Sequence, residues 1–223
     1  MPLITAIEKQ KRRPRFDVYL DGVVALELRL DLLAMSRLAV GDELTQQRVR
    51  ELQAEDQRLT AIEAALRFLS LGPRSERELR DRLRRRSLRR EAIEAAVARV
   101  RELGYLDDAA YARFFVEARQ AAQPRSKRAL AFELGRKGVD REVVTETVSE
   151  LSDVDAAYAA AQRRLRALRA LDRQTFTRRL GNFLASRGFG YGVARQTIER
   201  CWREVAGEGD DAGEPTAELS WSE

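Results

Sequence analysis

Leu134-Gly135-Arg136-Lys137-Gly138-Val139, followed by Val143-Val144, decides the fold, because the chain carries it in three versions. Leu83-Arg84-Arg85-Arg86-Ser87-Leu88 precedes Ala92-Ile93, and Leu184-Ala185-Ser186-Arg187-Gly188-Phe189 precedes Val193-Ala194. Each version has a Leu, a basic residue three later, a small residue, an apolar residue, and an apolar pair four and five positions on. The versions lie 51 and then 50 residues apart. Repetition at a fixed period means one supersecondary unit used three times, with neighbours burying what each leaves exposed. The expectation is a mainly α protein of three tandem three-helix repeats in an elongated, curved body.

The flanks of each signature read as helices. In the first repeat, Leu59, Ile62, Leu66 and Leu69 fall on one face of a helix that Gly72-Pro73 stops. Ser75-Glu76-Arg77-Glu78 is a capping box, and Leu79 and Leu83 then face inward. At Ser87, Gly138 and Gly188 the chain needs a left-handed residue, which glycine adopts without a Cβ penalty. A third helix carries Ile93, Val97 and Val100. The second repeat starts at Asp107-Asp108, either able to cap a helix with Tyr111, Phe114 and Phe115 in the core. It breaks at Gln123-Pro124-Arg125-Ser126 and resumes at Asp140. The third repeat has Val154, Tyr158, Ala161, Leu165 and Leu168 on its first helix, then Leu180, Phe183 and Leu184, then Val193, Ile198 and Trp202.

Upstream the period changes. Phe16 to Leu20 and Val23 to Leu26 flank Asp21-Gly22, a strong hairpin signal because a type I′ turn needs positive φ at both central residues. Asp31 to Met35 reads as a helical turn, and Thr45 as the cap of a helix through Ala54. The expected organisation is an N-terminal β-hairpin unit (1–57), repeats at 58–106, 107–152 and 153–206, and a disordered acidic tail (207–223).

Charge is unevenly placed. Residues 207–223 hold six acids and no Lys or Arg, so the preceding chain has 41 Lys and Arg against 30 Asp and Glu, a net +11. A basic body suggests a polyanionic partner. There is no His and a single Cys, Cys201, which removes Ser-His-Asp triads, Cys-His dyads and nearly all zinc sites. No Walker A loop or GxGxxG is present, so neither an enzyme nor a cofactor is expected. Cys201 lies at helical spacing from Ile198, as a buried structural thiol would. One Cys cannot make an internal disulfide, no window approaches a membrane helix, and no leader is evident; a cytoplasmic protein is expected.

The basic residues concentrate in the first repeat, where residues 74–101 hold eleven Arg against five acids. With Leu79 and Leu83 inward, Arg77, Arg80 and Arg84 fall near the outward side, Arg85, Arg86, Arg89 and Arg90 extend the patch across the turn, and Arg74 joins it. A merely solvated helix face would be nearer balance. The second repeat offers Arg125, Lys127, Arg128, Arg136 and Lys137, and the third offers Arg178, Arg179 and Arg187. Arg12 and Arg13, in the tract Lys9 to Arg15, either grip a phosphate backbone or are a solvated loop. Nothing resembles a base-reading set, so a phosphate-facing surface without strong sequence preference is expected. No exposed apolar stripe is obvious, which reads as a monomer.

Leu66-Arg67-Phe68-Leu69-Ser70, Pro73 to Leu79, Leu103-Gly104-Tyr105-Leu106-Asp107-Asp108-Ala109-Ala110-Tyr111-Ala112 and Leu134 to Val139 resemble the RecX family. The resemblance spans roughly residues 59–203, with Ser87 departing from the usual glycine. It implies a regulator of the bacterial recombinase RecA that lies in the groove of the RecA filament on single-stranded DNA. The implied outcome is inhibition of filament growth, ATP hydrolysis and strand exchange, with some binding to free DNA and no catalytic residues. From the residues alone, a helix-turn-helix-like transcription regulator is the alternative, and a structural adaptor with solvated basic faces comes third.

Overall fold

The computed structural model describes residues 1–207. The acidic tail expected at 207–223 lies outside the described residues except for Gly207. Two compact units divide the chain, residues 1–107 and residues 108 onward.

The first unit opens with an antiparallel meander of β1 (Ile4–Lys9), β2 (Arg15–Leu20) and β3 (Val23–Arg29), in the order β1-β2-β3. Asp21 (φ 49°) and Gly22 (φ 84°) form the expected turn with both central residues left-handed. The pairing of Val18 with Leu26 and of Leu20 with Val23 fixes the register. Ile4, Val18, Leu20, Leu26 and Leu28 are buried in one cluster with Val49 and Leu52. Helix α1 (Leu30–Ser36) leads to α2 (Gln46–Leu69), capped by the Thr45 hydroxyl, which accepts from Arg48 N.

Helix α2 corrects the sequence reading. The expected helix to Ala54 and the next one from Leu59 are one continuous helix of 24 residues. Its first half packs on the sheet, and its second half is the first helix of repeat 1. Between them lies Asp56, 5% exposed, whose carboxylate accepts from Arg15 (2.6 Å) and from the Arg29 amide (2.9 Å). Leu66 is also misplaced by the periodicity, at 36% exposed. The buried arc of α2 centres on Ala61, Ala64 and Ala65, which meet Ala92 and Ala96 of the facing helix. Small residues on both sides let two helix backbones approach closely, and a Leu stripe would hold them apart.

Repeat 1 continues with α3 (Glu76–Arg84) and α4 (Arg90–Glu102). The Ser75–Glu78 capping box is complete on both sides. Ser87 sits at φ 56°, as the repeat signature requires.

The second unit holds α5 (Asp108–Ala122), α6 (Lys127–Arg136) and α7 (Arg141–Ser149), then α8 (Asp153–Leu168), α9 (Arg173–Ser186) and α10 (Tyr191–Ala206). Asp140 caps α7 as expected, and Ser126, at the expected break, caps α6. Tyr111 and Phe115 join the repeat 2 core with their rings 6.1 Å apart. Phe114 does not, being 49% exposed: the buried arc of α5 runs through Ala112, Phe115 and Val116, and Phe114 falls outside it. Repeat 3 packs Ala156, Ala157, Ala160 and Ala161 of α8 against α9 and α10, with Cys201 fully buried.

Repeats 2 and 3 meet at a seam of backbone contacts. The Ser126 amide donates to Arg187 O (3.2 Å), and the Lys127 amide to the Asp153 carboxylate (2.7 Å). Gly188 (φ +87°) lies so close to α6 that a Cβ there would stand 2.7 Å from Ser126 Oγ.

Candidate functional site

In the first unit, α3, its left-handed turn and the start of α4 present the arginine-rich tract. Burial of Leu79 and Leu83 orients α3, so the polar residues between them emerge on the opposite side. The arginines there fall into two groups. Arg80 is drawn inward, 22% exposed, between Glu76 (2.9 Å) and Glu94. Arg101 also pairs with Glu76, and Arg84 with Asp81 (2.9 Å). Burial alone would raise the Glu76 carboxyl, but its hydrogen bonds to Arg80 and Arg101 bring it below the ordinary glutamate range. The pairs around Arg80 and Glu76 are bracing within the repeat, whereas the Arg84–Asp81 pair lies at the surface. Arg74 lies over the Phe68 ring, 5.3 Å from its centroid.

The second group is turned to solvent. Arg77, Arg82, Arg85, Arg86, Arg89 and Arg90 are exposed, with no carboxylate in ion-pair distance among the described residues. Arg85 and Arg86 stand on the turn itself. Arg84 and Arg90 share with Leu88, Ile93 and Glu94 an open cleft of about 350 Å³. Arg12 and Arg13 are exposed on the β1–β2 loop of the same unit.

In the second unit, Arg128 and Arg136 are exposed on α6, and Lys137 caps its end. Lys127 donates from Nζ to Ser149 O (2.8 Å), which holds it against α7. Arg125 pairs with Glu133 (2.9 Å), a carboxylate that also receives Arg119 (3.0 Å). Arg187 lies 5.0 Å from the centroid of Phe183. The seam thus brings Arg125 and Arg187 together and leaves Arg128 and Arg136 apart from them. It also brings in Arg163 and Arg164 of α8, which the sequence reading passed over. The available signal was the stretch from Ala159 to Leu168, which holds three arginines and no acid.

Among the described residues no group of His, Cys, Asp and Glu could hold a metal, and no helix is long and apolar enough to cross a membrane. The arrangement offers guanidinium faces on short helical repeats, suited to contact with a polyanion.

Three-helix domains in tandem define a class of modular helical-repeat protein, and sequence comparison identifies the family. Models of the first, second and third three-helix domains of RecX match residues 61–99, 107–148 and 152–198. The chain belongs to the RecX family. It is 37% identical to the regulatory protein RecX of Thermobifida fusca over 167 residues, covering 74% of this chain and 89% of that one. It is 38% identical to the regulatory protein RecX of Streptomyces lividans, over 66% of this chain and 78% of the relative. A crystal structure of regulatory protein RecX superposes with a TM-score of 0.64 at 23% identity, covering 89% of this chain and all of that one.

Proposed function

We propose that this regulatory protein acts on the recombinase RecA, lying along the RecA filament on single-stranded DNA and limiting its growth, ATP hydrolysis and strand exchange. Membership of the RecX family carries the reading. The unpaired arginine face of repeat 1 supports it, because Arg77, Arg85, Arg86, Arg89 and Arg90 can meet phosphate or acidic side chains without first breaking an internal ion pair. The repeats at 58–106, 107–152 and 153–206 act as successive contact modules of a monomer, preceded by the hairpin unit at 1–57. No catalytic residue is needed. A ligand with different affinity for two filament states shifts their populations by that difference.

The test is the DNA-dependent ATPase of RecA with this protein in stoichiometric excess at low salt. Inhibition that weakens as salt rises is expected, since phosphate contacts release counterions. An unchanged rate would overturn the proposal. Changing Arg77, Arg85 and Arg86 together to Glu is expected to lose DNA binding with helicity intact. Unchanged affinity would remove this face from the reading.

A further inference from the structure

Four guanidinium groups converge where repeat 3 meets repeat 2. Arg163 and Arg164 come from α8, Arg187 from the turn after α9, and Arg125 from the loop before α6. A cleft of about 230 Å³ opens beside Arg163, Arg164 and Arg187, lined also by Gln123, Pro124 and Phe183. At about 30 Å³ per water, it holds several waters or one oxyanion with part of its hydration.

Three of the four arginines are held by groups other than acids. Arg163 donates from Nη1 to Ala122 O and from Nη2 to Ala121 O (2.6 Å), the carbonyls at the end of α5. That helix end carries partial negative charge and accounts for Arg163. It does not account for its neighbours. Arg164 and Arg187 each lie 5.0 Å from the centroid of the one Phe183 ring, and among the described residues neither has a carboxylate in ion-pair distance. Among the described residues only Glu133 answers the cluster, and it is shared by Arg119 and Arg125. Burial lowers the proton affinity of Arg187, and the charges of Arg125, Arg164 and Arg163 lower it further. The Ser126–Arg187 and Lys127–Asp153 contacts and the close approach of Gly188 hold the seam closed against this repulsion.

Like charges packed this way, with fork-shaped donors facing a cleft, match one ligand chemistry. A phosphate oxygen set accepts guanidinium forks bidentately and cancels the repulsion. We infer that the cleft between repeats 2 and 3 is an oxyanion site that takes a phosphate group, with Arg164 and Arg187 as its principal donors and Arg163 and Arg125 as flanking charge. The group arrives either as a phosphodiester of nucleic acid or as free phosphate or pyrophosphate. Because the site joins loops of two repeats, its occupant also stiffens the seam.

This inference needs no RecA, so it stands or fails separately from the proposed function. The experiment is thermal unfolding of the full chain in pyrophosphate against sodium chloride of equal ionic strength. Pyrophosphate is expected to raise the midpoint in a saturating manner, as any ligand of the folded state does. Arg164→Gln with Arg187→Gln is expected to abolish that increment, and Arg195→Gln, exposed on α10 and paired with Glu199, to retain it. If the double variant does not fold, Arg164→Gln alone is used and is expected to weaken the response about tenfold, the loss of one charge-assisted bond. No increment beyond chloride, or an equal increment in the cleft variants, overturns the site. The source is read from a labelled oligo-dT. A phosphodiester occupant gives about tenfold weaker binding in the cleft variant and competition by pyrophosphate. Unchanged oligonucleotide affinity with the pyrophosphate response lost assigns the site to a free oxyanion.

Discussion

Gly188→Ala tests the packing at the seam most directly. An ideal Cβ at this position stands 2.7 Å from Ser126 Oγ and 2.8 Å from Ala129 Cβ. Favourable carbon contacts begin near 3.5 Å, so something must move. Neither neighbour gives easily. Ser126 is fully buried and its hydroxyl accepts from the Ala129 amide at 3.2 Å, capping α6, so rotating it away costs the cap, about 1 kcal/mol. Ala129 is fixed in the first turn of that helix. Overpacking of this kind costs about 1–3 kcal/mol. The backbone adds its own term, since φ at Gly188 is +87° and a left-handed L-residue costs about 1–2 kcal/mol. Lower entropy of the unfolded chain returns about 0.4–1 kcal/mol. The net expectation is a loss of about 2–4 kcal/mol from the unit that begins at residue 108. For a unit of this size that lowers its melting midpoint by roughly 10–30 °C. Far-UV circular dichroism during heating reads it. Gly135→Ala is the internal control: it is helical, with nothing within 4 Å of an added Cβ, and should gain about 0.5–1 kcal/mol. If Gly188→Ala melted within about 2 °C of the parent, far below the expected shift, the close approach of the turn to α6 would be wrong.

Ser87→Gly should act in the opposite sense at the same turn of repeat 1. Ser87 is exposed at φ 56°, so relieving the strain should stabilise the first unit by about 0.5–1 kcal/mol, and a lower denaturation midpoint would refute this. Cys201 is fully buried, and that burial pushes its thiol up to about 11. It should resist alkylation in the native protein at mildly alkaline pH and react fully in denaturant; rapid native labelling would contradict the packing of α10. Glu76 is held below the ordinary glutamate range, so its contribution to stability is present above that range and lost as pH falls through the folded value. Glu76→Gln should therefore be less stable than the parent near neutrality, with the two melting midpoints converging in acid. A difference that stays constant from neutral to acidic pH would rule out the Glu76–Arg80–Arg101 lattice as the cause.

Much of the fold is legible in the sequence because its signals are local. The Ser75–Glu78 box, the Thr45 and Asp140 caps, and the Asp21-Gly22 turn are each decided within about five residues, and the structure has them where they were read. The left-handed turn at Ser87 was legible only through its two glycine counterparts. Where local periodicity erred, packing had the deciding vote. Leu66 and Phe114 sit at helical spacing from core residues yet outside the buried arcs, and the join near residues 57–58 vanishes because Asp56 and the alanine face commit α2 to two cores at once.

The candidate surface divides in the same way. Sequence by itself determined that repeat 1 is rich in arginine, that the three repeats share one turn, and that no histidine chemistry is available. It could not determine which arginines are free. A guanidinium sits on a long flexible stem, and its partner is whatever carboxylate, carbonyl or ring the packing brings within reach. Tertiary structure alone committed Arg80 to Glu76 and Glu94, left Arg85 and Arg86 unpaired, and drew Arg125, Arg163, Arg164 and Arg187 to one seam from three separate segments of the chain. The helices follow from contacts a few residues apart, whereas the charge clusters follow from contacts between elements tens of residues apart, which no local pattern encodes.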